Sequence, residues 1–568
     1  MTKTDNSFFY QPVVVGYGSI HDSTSINGST VEELISLPPL GSTSNTIAST
    51  DSNTSIATQE KQSHARNSTA ADLRLSMLSN FSTAYNVISI SLALDLLSTQ
   101  RHLSVADKSL CSSALFAGMI AGQLGGGALG DVCGRHIAMM AVMLLQVLAS
   151  LLSSLSTDLP MANDNDTDDT KNIRVSLVTM LAFWRFVLGV GCGGVYPLAA
   201  TLTAESSNDG ESAKARRVAL AFSFQGVGYL TVPVVALMIV WLLGEASDLA
   251  WRLLLGLGAV PGIVLTFTRV RNNVLHNNVR KSTPDITKLA QHGTTRTPSV
   301  LDAISQEPQL WRKMLGTAGC WLLFDIAYYG NIMFQPIVLA CAFGEEEETA
   351  GHAARDSALI AALALPGYFM SYCMVNRQSP RFIQIQGFLV MAVLYACIAA
   401  YFEQMSKNRF VLLGFYGATF FSCNYGPNST TFMLPAITYS KECRSTLNGV
   451  CAASGKVGAL LGSIVFARAV QRFGQAAVFA SCAWLSVIGA LVTFVCVQPP
   501  NDDIIGPDEI IGALERGKPV PGTPVLNKKK KIPSVYSLPS IFDFYEVAIR
   551  SGNGNADNSR EKIHVVSS

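Results

Sequence analysis

Charge is scarce along this sequence. Of its 568 residues only 14% are Asp, Glu, Lys or Arg, where a soluble domain carries about a quarter. Most of the chain therefore lacks the means to face water. The net charge is +1, so there is no basic excess with which to hold nucleic acid. Paired cysteines are missing too. The twelve cysteines are scattered through apolar stretches (Cys111, Cys192, Cys320, Cys397, Cys451), with no CxxC pair and no Cys/His cluster. A disulfide framework or a zinc site is not expected, and these thiols read as small apolar packing residues. There is no nucleophile–base arrangement, no glycine-rich loop of the NTPase type and no metal constellation. The chain is not expected to be an enzyme, and no cofactor or metal is implied. Nor does a signal peptide open it. Residues 1–70 are rich in Ser, Thr and Asn without a sustained apolar run, and read as a disordered cytoplasmic tail. The first spanning helix is expected to serve as its own insertion signal.

What remains is hydrophobic. Apolar residues make up 49% of the chain, and the mean hydropathy is +0.31 although both ends are polar. This is the composition of an all-α polytopic membrane protein. About twelve segments are long enough to cross some 30 Å of hydrocarbon: 73–98, 108–130, 136–156, 174–203, 217–242, 250–270, 313–341, 355–375, 382–402, 409–438, 446–470 and 476–497. A polar stretch at 271–312 divides them six and six. The expected domains are an N-terminal half (71–270), a central cytoplasmic loop (271–312), a C-terminal half (313–497) and a cytoplasmic tail (498–568). That is the plan of a two-halved transporter with its site between the halves.

Short-loop cations set the orientation. Arg135, Lys214, Arg216, Arg217, Arg269, Arg271, Arg280, Lys281, Arg377, Arg381, Lys441 and Arg444 fall on one side if both termini are cytoplasmic. The acidic stretch Gly344–Glu348 falls on the other, together with the exceptions Lys108, Lys171, Lys407 and Arg472. With that topology the sequons at Asn27, Asn53 and Asn67 are cytoplasmic, and Asn165 is the credible glycosylation site. Tyr17-Gly-Ser-Ile20 has the form of a sorting signal. Lys528–Lys531 has the form of a lipid-attracting run, although a solvated charge run explains it as well. The plasma membrane is expected, with a vacuolar or other endomembrane as the alternative.

Several polar residues stand where hydrocarbon is expected. Trp321, Asp325 and Tyr329 follow one another at four-residue steps in segment seven, so they share one helix face. A carboxylate at that depth costs roughly 2.5–3.5 kcal/mol on insertion scales, and is spared lipid by a cavity or a partner. Lys456 lies about two turns inside segment eleven. Snorkelling to the interface is one reading; pairing with Asp325, so that each charge offsets the cost of the other, is the better one. Ser454, Gly458 and Gly462 make a small-residue face for close helix contact. Segment ten contains Asn424-Tyr-Gly-Pro427-Asn428-Ser-Thr430-Thr431, a polar, broken patch tolerated only against protein or a cavity. Segment four carries Arg185 in apolar surroundings, then a glycine stripe ending at Tyr196. Segment five carries Gln225, a clasp or a ligand contact.

Gly127-Ala-Leu-Gly-Asp131-Val-Cys-Gly134-Arg135 follows segment two. It resembles motif A of the major facilitator superfamily, which implies a gating role for Gly127, Asp131, Gly134 and Arg135; Arg185 is grouped with them. The matching stretch Val375–Arg381 has Asn376 where the carboxylate would stand and Ser379 for the glycine, so an asymmetric gate is expected. Within that superfamily the chain is similar to the phosphate:proton symporters of fungi and plants. The shared stretches are Gly122-Gln-Leu-Gly, Gly193-Gly-x-Tyr-Pro-Leu, Leu315-Gly-Thr-Ala-x-x-Trp-x-Leu-x-Asp-Ile-Ala-x-Tyr329, Tyr425-Gly-Pro-Asn-x-Thr-Thr-Phe432 and Ala-Ala-Ser-Gly-Lys456. The resemblance implies a major facilitator fold and inorganic phosphate as substrate. It implies a phosphate-binding set of Tyr196, Gln225, Trp321, Asp325, Tyr329, Asn428 and Lys456.

The departures bear on coupling. The family has Asp before the Tyr of its Gly-Gly-Asp-Tyr-Pro-Leu motif, where this chain has Val195. The family's first-span acids are replaced by Thr83 and Asn86. Asp325 and Glu205 are the remaining candidates for carrying the proton. Three readings follow: reassigned proton coupling, an uncoupled facilitator or exporter, and a phosphate sensor. A carrier of another small anion or a sugar stays open, because the fold hosts many substrates.

Overall fold

The computed structural model describes residues 47–160, 174–206, 210–268, 299–332, 335, 338–339 and 349–498. Tyr17, Asn27, Asn165, Gly344–Glu348, Lys528–Lys531 and the greater part of the central loop lie outside these residues.

Almost everything described is helix. Segment one belongs to a helix spanning Ile47–Ser98, which begins inside the stretch expected to be a disordered tail. No Gly or Pro falls between Ile47 and Asp72 to stop it. Segment two runs Val105–Cys133 and starts at a capping box: Ser104 Oγ accepts from Asp107 N at 3.1 Å, and Asp107 Oδ2 accepts from Ser104 N at 3.0 Å. Gly134, at φ +91°, ends it with a backbone few other residues adopt, and segment three follows at once as Arg135–Ser154. A two-residue antiparallel pair, Leu159–Pro160 with Arg174–Val175, bridges to segment four, Leu177–Glu205. Segment five is Glu211–Leu243, and segment six opens as Asp248–Gly256.

The second half is more interrupted. A short helix, Val300–Gln306, precedes segment seven. Segment seven itself comprises Leu310–Met314, a widened turn at Leu315–Gly319 and Cys320–Ile332. Segments eight and nine are Ala350–Met374 and Pro380–Ser406. Segment ten is broken as expected, into Arg409–Tyr425 and Pro427–Thr438. Gly426 takes φ −99°, ψ −109° at the break, and Pro427 has no N–H with which to continue the ladder. Segments eleven and twelve form one run, Arg444–Cys496, reversed at Gly474 with φ +80°.

Nine described helices are long and apolar enough to cross a membrane. They match all segments except two, seven and ten, of which seven and ten are the interrupted ones. Large apolar side chains stand outward around the bundle, among them Trp241, Phe267, Trp484 and Phe494. Such a girdle suits lipid rather than water. The chain is an all-α, multi-pass membrane protein.

Two close helix crossings set the geometry of the halves. In the first half, Gly118, Gly122 and Gly126 of segment two lie against the backbone of Phe186, Val190 and Gly194 in segment four. In the second half, Ser454 Oγ donates to the Ala318 carbonyl at 2.8 Å, while Gly458 and Gly462 abut the carbonyls of Leu322 and Ile326. The four-residue step is the same on both partners, so segments seven and eleven run parallel with their backbones in contact.

Candidate functional site

The parallel contact of segments seven and eleven decides where Lys456 goes. Gly455 leaves room for the Trp321 ring, which lies directly over it. One position further on, Lys456 reaches across to segment seven. Its Nζ donates to Asp325 Oδ2 at 3.2 Å and to Tyr329 Oη at 3.2 Å, and lies 5.0 Å from the centre of the Tyr329 ring. Asp325 is 3% exposed and Lys456 6%. Each charge thus has its partner where water is absent, with the phenol as a third member of the cluster.

Above this cluster opens a cavity of about 540 Å³. Tyr229 and Gly226 of segment five, Phe116 of segment two, Tyr328 and Tyr329, Tyr368 of segment eight and Asn424 line its deep part. Asp95 and Asp356 line its mouth, each ion-paired, to Lys108 at 3.0 Å and to Arg355 at 2.8 Å. Of the seven residues expected to bind substrate, only Tyr329 lines the cavity directly. The other six do not line it, and three of them are bonded to side chains that do. Lys456 holds Tyr329; Asn428 donates to Tyr368 Oη at 2.9 Å and to Asn424 Oδ1 at 2.7 Å; Gln225 donates to Tyr229 Oη at 3.2 Å. Tyr196 packs edge-on against Phe432, and Phe432 stacks on Phe222 at 4.3 Å. This aromatic layer closes the cavity floor between the halves.

Tyr229, Tyr328, Tyr368 and Phe116 were not singled out by sequence reasoning. Tyr229 had a usable signal, since it follows Gln225 by four residues and so shares its face. Tyr368 had none beyond its place in an apolar segment.

The end of the bundle opposite the cavity is shut. Asp131 pairs with Arg135 at 2.9 Å, and its oxygens accept from the backbone N–H groups of Ser445 and Thr446 at 3.3 and 2.7 Å. A carboxylate from the first half thereby caps the start of segment eleven in the second. Arg135 donates to the Lys441 carbonyl at 2.5 Å. Glu205 takes Arg135 Nε at 3.1 Å and Arg444 Nη1 at 3.1 Å. A Cβ on Gly127 would lie 2.6 Å from the Ser445 carbonyl oxygen, which only glycine avoids. Gly134 supplies the turn that aims Arg135 inward.

Two expected placements change. Glu205, read as a proton carrier, sits in this gate between two arginines. Arg185, grouped with the gate, lies elsewhere, fully buried in the first half. Its Nη1 donates to the Asn86 carbonyl at 3.4 Å, while Nε and Nη2 have no hydrogen-bond partner among the described residues. Asn86 Nδ2 clasps the Ser82 and Gly258 carbonyls at 2.9 and 2.8 Å, and Val195 is fully buried among apolar side chains. Among the described residues no group of three or more His, Cys, Asp or Glu is arranged to hold a metal.

Comparison with known proteins agrees with this architecture. The profile of the Major Facilitator Superfamily matches residues 76–450. Inorganic phosphate transporter PT2 of Toxoplasma gondii is 29% identical over 474 residues, covering 82% of this chain and 77% of that protein. Putative inorganic phosphate transporter 1-13 of Oryza sativa subsp. japonica is 30% identical over 429 residues, covering 68% of this chain and 80% of its own. Among solved structures, the proton:xylose symporter XylE bound to 6-bromo-6-deoxy-D-glucose superposes with a TM-score of 0.58 at 16% identity, over 76% of this chain and 96% of that one. XylE from E. coli in a partially occluded inward-open conformation gives 0.54 at 15%, over 77% and 100%. Sequence profile, relatives and helix arrangement agree, and the chain belongs to the major facilitator superfamily.

Proposed function

We propose that this protein carries inorganic phosphate across a membrane by alternating access, with Lys456, Asp325 and Tyr329 at the centre of the site. The observation that carries the reading is the buried Lys456–Asp325–Tyr329 cluster beside the cavity that Tyr329 lines. The names of the relatives support phosphate as the substrate. Lys456 supplies a counter-charge for the anion; Tyr329, Tyr229 and Tyr368, which line the cavity, supply neutral donors, with Asn428 holding Tyr368; and Asp325 accepts from the protonated oxygens of dihydrogen phosphate once the Tyr329 ring moves aside to admit it. Trp321, Gln225 and Tyr196 hold these groups in place. With both termini cytoplasmic the cavity faces outward and the Asp131–Arg135–Glu205–Arg444 gate is the cytoplasmic one. The plasma membrane fits that orientation.

Proton coupling, in this reading, rests on Asp325. A second reading, an uncoupled carrier, is favoured by Asn86 and Val195, which occupy the positions of the family's acids and do not titrate. The two differ in energetics. Uncoupled entry of dihydrogen phosphate into a negative interior is opposed by about 2.3 kcal/mol per 100 mV. Labelled phosphate flux into vesicles, with pH gradient and potential set independently, separates them. Drive by pH that Asp325→Asn abolishes supports coupling; flux that follows potential alone rejects it. Phosphate binding without flux under any gradient points to a sensor, and absence of both refutes the assignment of substrate.

A further inference from the structure

The second copy of the gating motif is the copy without a carboxylate. In the first half Asp131 supplies one negative charge that serves Arg135 and the start of segment eleven together. In the matching loop of the second half Asn376 stands in its place, while the cations Arg377 and Arg381 remain. The matching target is the start of segment five, where Gly210 offers no side-chain cap. Between the two lies a cavity of about 380 Å³.

Its lining is cationic. Arg312, Lys313, Arg377 and Arg381 come from the second half, and Glu211 and Ser212 from the first. Glu211 is the one acidic lining residue among those described. Lys313 is held by Glu307 at 2.6 Å. Arg312 and Arg381 each donate to a carbonyl at the end of segment twelve, Val495 at 2.8 Å and Phe494 at 2.7 Å. Capping that helix end explains those two bonds. It does not explain the buried Nε of Arg381, which has no hydrogen-bond partner among the described residues although the guanidinium lies over the Phe494 ring. Nor does it explain Arg377, whose side chain has no ion pair or hydrogen bond among the described residues.

We propose that this cavity binds a phosphate-bearing anion, which supplies the negative charge that Asn376 cannot. The shared chemistry is a cluster of phosphate groups, from a soluble polyphosphorylated molecule or from the headgroup of an anionic phospholipid. Guanidinium groups grip phosphate bidentately, and the first turn of segment five, at Glu211 and Ser212, forms the facing wall. The volume suits a ligand larger than inorganic phosphate. Because both halves line the cavity, the ligand binds only while this end is closed. By linkage it then holds the protein closed and slows the transport cycle.

The test uses the full chain in phosphatidylcholine nanodiscs, titrated with myo-inositol hexakisphosphate. A second arm replaces about one lipid in ten with phosphatidylinositol 4,5-bisphosphate and reads the thermal midpoint. Lys456→Ala/Asp325→Asn, which removes the central cation without leaving a buried unpaired carboxylate, serves as the control and is expected to retain this binding. Arg377→Gln and Asn376→Asp are each expected to weaken it by at least about tenfold, the second by supplying the missing carboxylate from within. Binding of hexakisphosphate with this pattern identifies a soluble source. Stabilisation by the lipid alone, with the same sensitivity, identifies a headgroup. Failure of both probes to bind, or equal binding by wild type, Arg377→Gln and Asn376→Asp, overturns the proposal. Loss of binding in Lys456→Ala/Asp325→Asn with an unchanged midpoint also overturns it, by placing the anion in the central site.

Discussion

Lys456 Nζ lies 3.2 Å from Asp325 Oδ2 and 3.2 Å from Tyr329 Oη, so one ammonium serves a carboxylate and a phenol of the same helix face. Removing it leaves Asp325 buried without a counter-charge, at a cost of about 3–5 kcal/mol. Lys456→Ala is expected to lower the thermal midpoint and to weaken phosphate binding at least a hundredfold, by about 2.7 kcal/mol or more. Lys456→Ala/Asp325→Asn is expected to recover the midpoint but not the binding. Isothermal titration and thermal unfolding on the same samples check both, and unchanged phosphate affinity in Lys456→Ala would sink the site assignment.

Glu205 joins Arg135 and Arg444 across the two halves. Glu205→Gln removes the negative charge those arginines share. A charged hydrogen bond is worth about 1.5–3 kcal/mol, so the closed end should open about tenfold more often. Cys443, buried beside the gate, reports it through its maleimide labelling rate. An unchanged rate would show that Asp131 alone holds the end shut.

Gly458 abuts the Leu322 carbonyl without room for a side chain. Gly458→Leu forces segments seven and eleven apart, and overpacking of this kind costs about 1–3 kcal/mol. The variant is expected to unfold at lower temperature and to lose phosphate binding, since the separation also parts Lys456 from Asp325. Retained binding would mean the pair tolerates a wider crossing.

Glu307 gives the pH prediction. Burial acts to raise its carboxyl, but the Lys313 ammonium at 2.6 Å and two donors from Ser440 outweigh it and hold it below its ordinary value. A carboxyl lowered in the folded state stabilises fully above its unfolded value, ordinarily about 4.5, and that stability is lost as pH falls through the folded value. Thermal midpoints taken from about pH 7 to about pH 4 should therefore fall more steeply for wild type than for Glu307→Gln. Parallel curves would show that the Glu307–Lys313 contact contributes nothing.

How far the site was legible depended on how costly each residue's surroundings were. Asp325 and Lys456 announced a pairing because two charges in apolar segments have few other ways to exist. The break in segment ten was legible because a Gly-Pro pair, Gly426-Pro427, weakens the helix at one residue and removes an N–H at the next. The partners of Glu205 were hidden for the converse reason. They lie 70 and 239 positions away, and nothing local distinguishes a gate acid from a proton carrier. The aromatic lining was hidden because Tyr229 and Tyr368 are ordinary occupants of apolar helices until neighbouring helices turn them toward a common space. The helix from Ile47 shows the remaining limit, since polar composition alone does not stop a stretch without Gly or Pro from coiling.

The shared four-residue register of Ala318, Leu322 and Ile326 with Ser454, Gly458 and Gly462 has a mechanical consequence. Two helices locked backbone to backbone cannot slide or roll separately, so they travel as a single beam. The Lys456–Asp325 separation is then constant through a rocking cycle. What a rocking cycle changes is the set of first-half side chains, here Phe116 and Tyr229, that faces it. The charged instrument belongs to one half, and the other half acts as its shutter.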